Sequence, residues 1–374
     1  MKVLYWSGLF WPHIGGVEIL SLQFIPAMQA KGYEFIVLTS QSNPDLQSNE
    51  NYNGIPIYRL PFHIGGIHNL ENIKEIKKKV EEVKKDFKPD LVHINSIDIS
   101  IFFHLLTDNS NGKVPTLFTI HSLPPYYINN DTLLYKMLCN AQWIATASAA
   151  MLSSVRKITP DKIQCSSLIY YGLNIPAIEP DPLQLDTPRL LCLGRLVYEK
   201  GFDLALDAFK EIINHFPKAR LIIAGDGPAK PDLEAISNKL GIADFVEFVG
   251  WVSPDKIPEL INTSAIVIIP SRWEEPFGLV ALQAAQMSRP VIAACSGGLP
   301  EIVLHQKTGL LFEKENSIDL AKQVISLLEN KDMAVKMGKA AREKAIKMFE
   351  FDRFIDAYDD LYKKLIAPAE KIIL

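Results

Sequence analysis

Short apolar runs alternate with stretches of helical periodicity along the whole chain. The runs at 2–6, 34–39, 55–60, 91–95, 116–121 and 143–146 are rich in Val, Ile, Leu and Phe at successive positions. Segments apolar on both faces suit strands sandwiched between helix layers, so they predict a parallel sheet rather than a half-exposed antiparallel one. Between them, Ile73, Ile76, Val80, Val83 and Phe87 draw one apolar stripe at helical spacing, which predicts a helix over 72–87. Another helix is expected over 21–31, with Pro26 in its middle, where the missing N–H should kink it.

Residues 172–188, rich in Pro and Asp, carry no usable period and read as a linker. The alternation restarts with runs at 189–194, 220–224, 245–249, 265–269 and 290–294. The pattern predicts two doubly wound α/β units. The expected boundaries are 1–172 for the first, 173–188 for the linker and 189–350 for the second. A last helix within 351–374 either packs on the second unit or crosses back to the first.

Composition narrows the class. At 374 residues the chain exceeds one ordinary core, and two domains are the natural expectation. The net charge of −4 divides into about +1 over 1–172 and −5 over the remainder. Neither half has the basic excess of a dedicated nucleic-acid binder, so no nucleic-acid partner is expected. Cys139, Cys165, Cys192 and Cys295 form no CxxC pair and no zinc-like spacing, and read as thiols of a reducing compartment. The first residues read as a buried strand broken by Pro12, not as a secretory leader. No apolar run is long enough to span a bilayer. A cytoplasmic location is expected, with one qualification. Residues 72–88 carry seven lysines against four acids on an amphipathic helix, a pattern suited either to solvent or to an anionic membrane surface at the inner face.

Open parallel sheets place ligands at the carboxyl ends of their strands, so the residues after each run are the candidates for chemistry. After the first run come Gly15 and Gly16, opening a helix whose N–H groups favour an anion. His121 follows the run at 116–120. Gly194 and Arg195, then Lys200 and Gly201, follow the run at 189–194, and two cations beside a helix start suit a diphosphate. Gly225 and Gly227 mark a turn after 220–224. After 265–269 comes Glu274-Glu275-Pro276-Phe277-Gly278-Leu279-Val280. Its Phe277-Gly278 pair looks exposed at a helix start. Glu275 suits sugar hydroxyls, and the N–H groups of Phe277, Gly278 and Leu279 suit a phosphate. Gly297 and Gly298 should allow close backbone approach at the next strand end. Each of these positions also has an ordinary structural reading as a turn, a cap or a solvated loop. No D-x-D occurs in the chain, so no metal site is expected, and Arg195, Lys200 and helix N-termini would have to meet the charge of a leaving diphosphate.

Taken in order, Gly15-Gly16-x-Glu18, His121, Gly194-Arg195, Glu199-Lys200-Gly201, Gly225-x-Gly227-Pro228, Glu275-Pro-Phe-Gly-Leu-Val and Gly297-Gly298-x-x-Glu301 resemble glycosyltransferase family 4, over nearly the whole chain. The resemblance implies a GT-B fold: two Rossmann-like doubly wound parallel-sheet domains facing across a cleft. It implies a retaining, metal-independent transferase that moves a sugar from a UDP- or GDP-sugar to a glycan or glycolipid acceptor, with no other cofactor. His121, Arg195, Lys200 and Glu275 would be catalytic. Gly15, Gly16, Gly194, Gly225, Gly227, Pro276, Phe277, Gly278, Leu279 and position 283 would hold the donor. The first domain would bind the acceptor.

One position departs from the pattern. Eight residues after Glu275 the family carries a second glutamate on the ribose, and here it is Gln283. An amide accepts with one oxygen and donates with its nitrogen, so a charge-assisted bond is lost, worth about 1–3 kcal/mol. That departure leaves open a non-catalytic nucleotide-sugar binder, beside a sugar-nucleotide epimerase or phosphorylase of the same fold.

Overall fold

The computed structural model describes residues 1–61, 70–97, 99–107, 114–123, 128 and 131–367. The cleft loop expected over 61–68 and the segment 124–127 fall almost wholly outside them. The chain divides into two compact units: residues 1–169 with 354–374, and 170–353.

The first unit is built on eight strands: β1 (Lys2–Ser7), β2 (Glu34–Ser40), β3 (Asn49–Tyr52), β4 (Ile55–Leu60), β5 (Leu91–Ile94), β6 (Thr116–Ile120), β7 (Trp143–Thr146) and β8 (Ser166–Leu168). Their order is β3-β4-β2-β1-β5-β6-β7-β8. Every pairing is parallel except β3 with β4. β3 reads Asn-Glu-Asn-Tyr, a polar edge strand without the apolar signature that marks the others. β8 is three residues long, and its pattern was equally invisible. The order in which strands are added reverses between the parallel neighbours β1 and β5, which makes that junction the switch point of the sheet.

The helix after β1 spans Gly16–Ala30 and runs through Pro26, five residues earlier in onset than its apolar pattern suggests. Gly15 supplies an extended N-cap (φ −148°), and the apolar stripe Leu20, Phe24, Ile25 and Met28 is buried. The lysine-rich helix spans Leu70–Phe87. Ile76, Val80, Val83 and Phe87 bury its stripe. Some of its charges are paired: Lys77 with Glu81, Lys78 with Glu82, and Lys84 with His104 and Thr107.

The last helix, Phe351–Ile366, carries Phe354, Tyr358 and Tyr362 into the first unit. Tyr362 Oη lies 2.5 Å from His93 Nδ1, and Tyr358 Oη 3.0 Å from Thr119 Oγ1. Tyr33 donates to Asp359 at 2.8 Å. Burial pushes both His93 and Tyr358 toward their neutral forms, so this contact is a polar network inside an aromatic one.

The second unit is built on β9 (Arg189–Leu193), β10 (Arg220–Ala224), β11 (Val246–Gly250), β12 (Ile266–Ile269), β13 (Val291–Ala294) and β14 (Gly309–Phe312). All pairings are parallel, in the order β11-β10-β9-β12-β13-β14. The switch point lies between β9 and β12. Helices Phe202–His215, Ser317–Glu329 and Lys331–Met348 contribute Leu206, Phe209, Ile212, Val324, Leu327 and Met337 to the core. Residues 173–188 contain neither helix nor strand, but they are anchored. The buried Arg289 donates to Asp181 O at 2.8 Å and Asn262 Oδ1 at 2.6 Å, and Asn262 in turn holds the Asp181 carboxylate at 2.9 Å.

Candidate active site

The loops after β9 and β12 meet at the switch point of the second sheet. After β9 the chain makes a short 3-10 turn, Tyr198–Lys200, closed by Gly201 at φ +67°. The Glu199 carbonyl in that turn accepts the N–H groups of Arg272 (2.8 Å) and Trp273 (3.1 Å) from the loop after β12. Arg272 reinforces the junction with a two-point bond to Asp203, at 2.7 and 2.8 Å, and lies 4.3 Å from the Tyr198 ring. This stitching brings two of the expected catalytic residues together. Lys200 Nζ sits 2.6 Å from Glu275 Oε1, and Ser271 Oγ sits 2.8 Å from the same oxygen.

The Glu275 side chain is about 10% exposed and that of Lys200 about 30%. A charge-assisted bond of this kind contributes about 1.5–3 kcal/mol. Both hydrogen bonds fall on Oε1, so Oε2 keeps its lone pairs among the described residues. Ser271 was not singled out by the sequence. Its position four residues before Glu275, where a loop can turn its hydroxyl back, was the only available signal.

The expected exposure of Phe277 is corrected. The ring is 1% exposed and packs against Tyr171 (5.1 Å between centroids), Phe349 (5.5 Å) and Tyr170 (6.1 Å). Just beyond the buried ring come the backbone N–H groups of Phe277, Gly278 and Leu279. Gly278 (φ +109°) caps the helix Leu279–Gln286, and none of those three N–H groups meets a protein acceptor among the described residues. Pro276 is half-buried just before them. Gln283 lies half-buried in the second turn of that helix, its amide without a protein partner among the described residues.

The glycines divide into two sets. Gly297 and Gly298 allow the close backbone approach expected of them, and the backbone they approach is that of Glu274 and Glu275. The Gly297 N–H donates to Glu274 Oε2 at 2.8 Å and the Gly298 N–H to Glu275 O at 2.7 Å. Gly297 has φ +55°, and a Cβ there would lie 2.2 Å from the Glu275 carbonyl oxygen. The Glu274 carboxylate is fixed from its other side by Lys314 at 2.9 Å, which holds its pKa below the ordinary value. Gly225 behaves similarly: a Cβ would lie 1.8 Å from Gly194 O, and its N–H goes to Gly250 O. The N–H groups of Gly194 and Gly227 also go to protein, to Ala224 O and Asp226 Oδ1. These residues pack the loops against one another. Gly16, by contrast, begins a fifteen-residue helix, and its N–H has no protein acceptor among the described residues. Glu301 closes the motif by hydrogen-bonding Tyr170, whose phenol is pushed up to about 12, by burial first and then by that bond.

Arg195 is exposed, and among the described residues no carboxylate pairs with it. His121, at the end of β6 in the first unit, is 9% exposed. Burial drives its pKa down to about 4, partly offset by a hydrogen bond with the Asn95 backbone, so the ring is neutral near pH 7. Among the described residues no cluster of three His, Cys, Asp or Glu side chains forms a metal-binding group.

Known proteins resemble this arrangement in sequence and in fold. Residues 14–166 match the model described as Glycosyltransferase Family 4, and residues 177–344 match Glycosyl transferases group 1. The chain belongs to the group 1, family 4 glycosyltransferases. An uncharacterized glycosyltransferase of Methanocaldococcus jannaschii is 27% identical over 98% of this chain and 99% of its own. A GDP-mannose-dependent alpha-(1-6)-phosphatidylinositol monomannoside mannosyltransferase of Mycobacterium tuberculosis is 36% identical, over 48% of this chain and 51% of its own. Among solved structures, the sucrose-phosphate synthase of Thermosynechococcus elongatus superposes with a TM-score of 0.84 at 22% identity, over 97% of this chain and 98% of its own. Anabaena HepE in complex with UDP-glucose gives 0.80 at 20% identity, over 98% of this chain and all of its own. The two α/β units therefore have the GT-B fold, and the chain is a hexosyltransferase that draws on nucleotide-sugar donors.

Proposed function

We propose that this glycosyltransferase moves a hexose from a UDP- or GDP-sugar to a glycan or glycolipid precursor with retention of anomeric configuration and without a metal. The observation that carries the reading is the Glu275 carboxylate, buried at the switch point, held through one oxygen by Lys200 and Ser271 and leaving the other for a ligand. A carboxylate oxygen with unused lone pairs accepts two vicinal sugar hydroxyls. The N–H groups of Phe277, Gly278 and Leu279, at a helix start and without a protein acceptor among the described residues, suit a phosphate. Arg195 and Lys200 add the positive charge that a departing nucleoside diphosphate requires. The family resemblance also implies a catalytic role for His121 of the first unit, where a neutral ring offers a hydrogen bond rather than a charge.

Among the described residues, Lys200 and Ser271 are the side chains bonded to the Glu275 carboxylate, and both are committed to Oε1. That favours a front-face displacement, in which the departing phosphate oxygen takes the proton of the acceptor hydroxyl as the new glycosidic bond forms. The mycobacterial mannosyltransferase, named for a GDP-mannose donor and a phosphatidylinositol-based acceptor, supports a glycolipid acceptor. HepE in complex with UDP-glucose keeps a uridine donor in play. Lys74, Lys85 and Lys88 are exposed and pair with no acid among the described residues, which suits a weak contact with anionic lipid.

The test is a panel of UDP-, GDP- and ADP-sugars read by thermal shift, followed by transfer assays with the stabilising donor. A donor at 100 times its Kd adds about 2.7 kcal/mol of stability. Stabilisation by one nucleotide class, and an α-linked product from an α-linked donor in the presence of a chelator, are the expected results. An inverted product, or turnover lost with chelation and regained with a divalent cation, would overturn the mechanism.

A further inference from the structure

We infer that Arg59 is a positioning residue for sugar transfer: through the Trp11 carbonyl it holds the loop that presents Gly15 and Gly16 at the switch point of the first sheet. The inference rests on the proposed function, together with the donor role that the family resemblance implies for Gly15 and Gly16.

Arg59 lies near the end of β4, and its side chain is 1% exposed. Its guanidinium joins three separate pieces of chain. Nη2 donates to Trp11 O and to Glu50 Oε1, each at 2.7 Å, and Nη1 donates to Gln47 O at 2.8 Å. A buried cation with one carboxylate partner is an expensive way to fill a core, since an apolar side chain of similar volume is often neutral or better. What the planar fork supplies is a fixed angle between its acceptors, which a Lys ammonium does not reproduce.

The loop is held at every stage. The Gly8 N–H donates to Ser96 Oγ at 2.6 Å, and Gly8 O accepts the Ser40 N–H at 3.2 Å. The Trp11 ring stacks on Tyr52 of β3, with centroids 4.2 Å apart and planes 25° from parallel. Gly15 O accepts the Ile19 N–H at 3.0 Å. Between Gly8 and Gly15, apart from the local bond of Ser7 Oγ to Leu9 O, the hydrogen bonds to the rest of the fold pass through Trp11, among the described residues. The polar edge strand β3 thus has a purpose: it carries Glu50 and Tyr52, which orient Arg59 and Trp11.

The test uses the full chain with Arg59→Lys and Arg59→Met, read by hydrogen–deuterium exchange and by steady-state kinetics. Amides of the peptide covering 8–17 are expected to exchange at least tenfold faster, with β5 and β6 unchanged. The kcat for transfer should fall at least tenfold, while the Kd for UDP or GDP, which the second unit binds, stays within twofold. Exchange that rises across the whole first unit would reduce Arg59 to a structural role and overturn the inference. So would a folded variant with unaltered loop exchange and kcat within twofold of wild type. If neither Arg59 variant folds, Tyr52→Leu keeps the guanidinium and removes the ring beneath Trp11. It should speed exchange in the same peptide and lower kcat at least threefold, and no change in either refutes the inference. A wild-type chain that transfers from no nucleotide sugar defeats the proposed function instead, and loop exchange still decides whether Arg59 holds the loop.

Discussion

Gly297→Ala should disable the enzyme without replacing a residue that contacts substrate. At φ +55° an alanine is strained by about 1–2 kcal/mol. The new methyl would also lie 2.2 Å from Glu275 O and 2.7 Å from Glu275 N. Real contacts of this kind stay beyond 3.0 Å, so either the Gly297 turn or the Glu275 backbone must move by close to an ångström. The turn cannot retreat without breaking the Gly298 N–H bond to Glu275 O and the Gly297 N–H bond to Glu274. Glu275 therefore shifts relative to Lys200. A misplacement of about 1 Å in a reacting constellation costs about 100-fold in rate, or about 2.7 kcal/mol of barrier. The assay is kcat/KM for the preferred donor, with thermal unfolding measured in parallel. Gly241→Ala serves as the control: φ is +72° but no atom lies within 4 Å of the new Cβ. It should lower stability by about 1–2 kcal/mol and leave kcat/KM unchanged. Equal activity losses in the two variants, or a fully active Gly297→Ala, would refute the reasoning.

Lys200→Met leaves the largely buried Glu275 with Ser271 alone and should destabilise the fold by about 1–3 kcal/mol, seen in urea unfolding, with kcat down at least tenfold. Gln283→Glu restores a carboxylate to the helix after Gly278 and should tighten donor binding about tenfold, measured by calorimetry, if the side chain reaches the ribose. His121 has a folded pKa of about 4 against 6.5 unfolded, so the unfolded chain binds the extra proton between those values. Stability should accordingly be lost as pH falls from about 6.5 to 4. His93, also held neutral by burial, adds to the same slope. His121→Gln should flatten the slope measured by urea unfolding between pH 4 and 7.

Much of this was readable from residue type and spacing because parallel strands buried on both faces write a plain signal. β1, β2 and β7 appear as apolar runs with edges off by at most one residue. β3 and β14 were illegible for opposite reasons. One is polar, and the other begins with Gly309, pressed against Val291 O. At the site, charge was legible and packing was not. Arg195, Lys200 and Glu275 stand out as charges at strand ends, where parallel sheets keep their ligands. That Phe277 points inward depends on Tyr170, Tyr171 and Phe349, which are about 70 to 110 residues away in sequence. That a Cβ at Gly225 or Gly297 would meet backbone depends on loops from other strands. Arg59 was passed over because one arginine inside an apolar strand carries no period, and its acceptors lie 12 and 48 residues away.

The most direct test of the account is calorimetric titration of Glu275→Gln with the preferred nucleotide sugar and, separately, with its free nucleoside diphosphate. The substitution keeps the volume and removes the charge that faces the sugar. The account predicts that the nucleotide sugar binds at least tenfold more weakly, while the free diphosphate binds as tightly as to wild type or more so. Equal affinity of variant and wild type for the nucleotide sugar would contradict it.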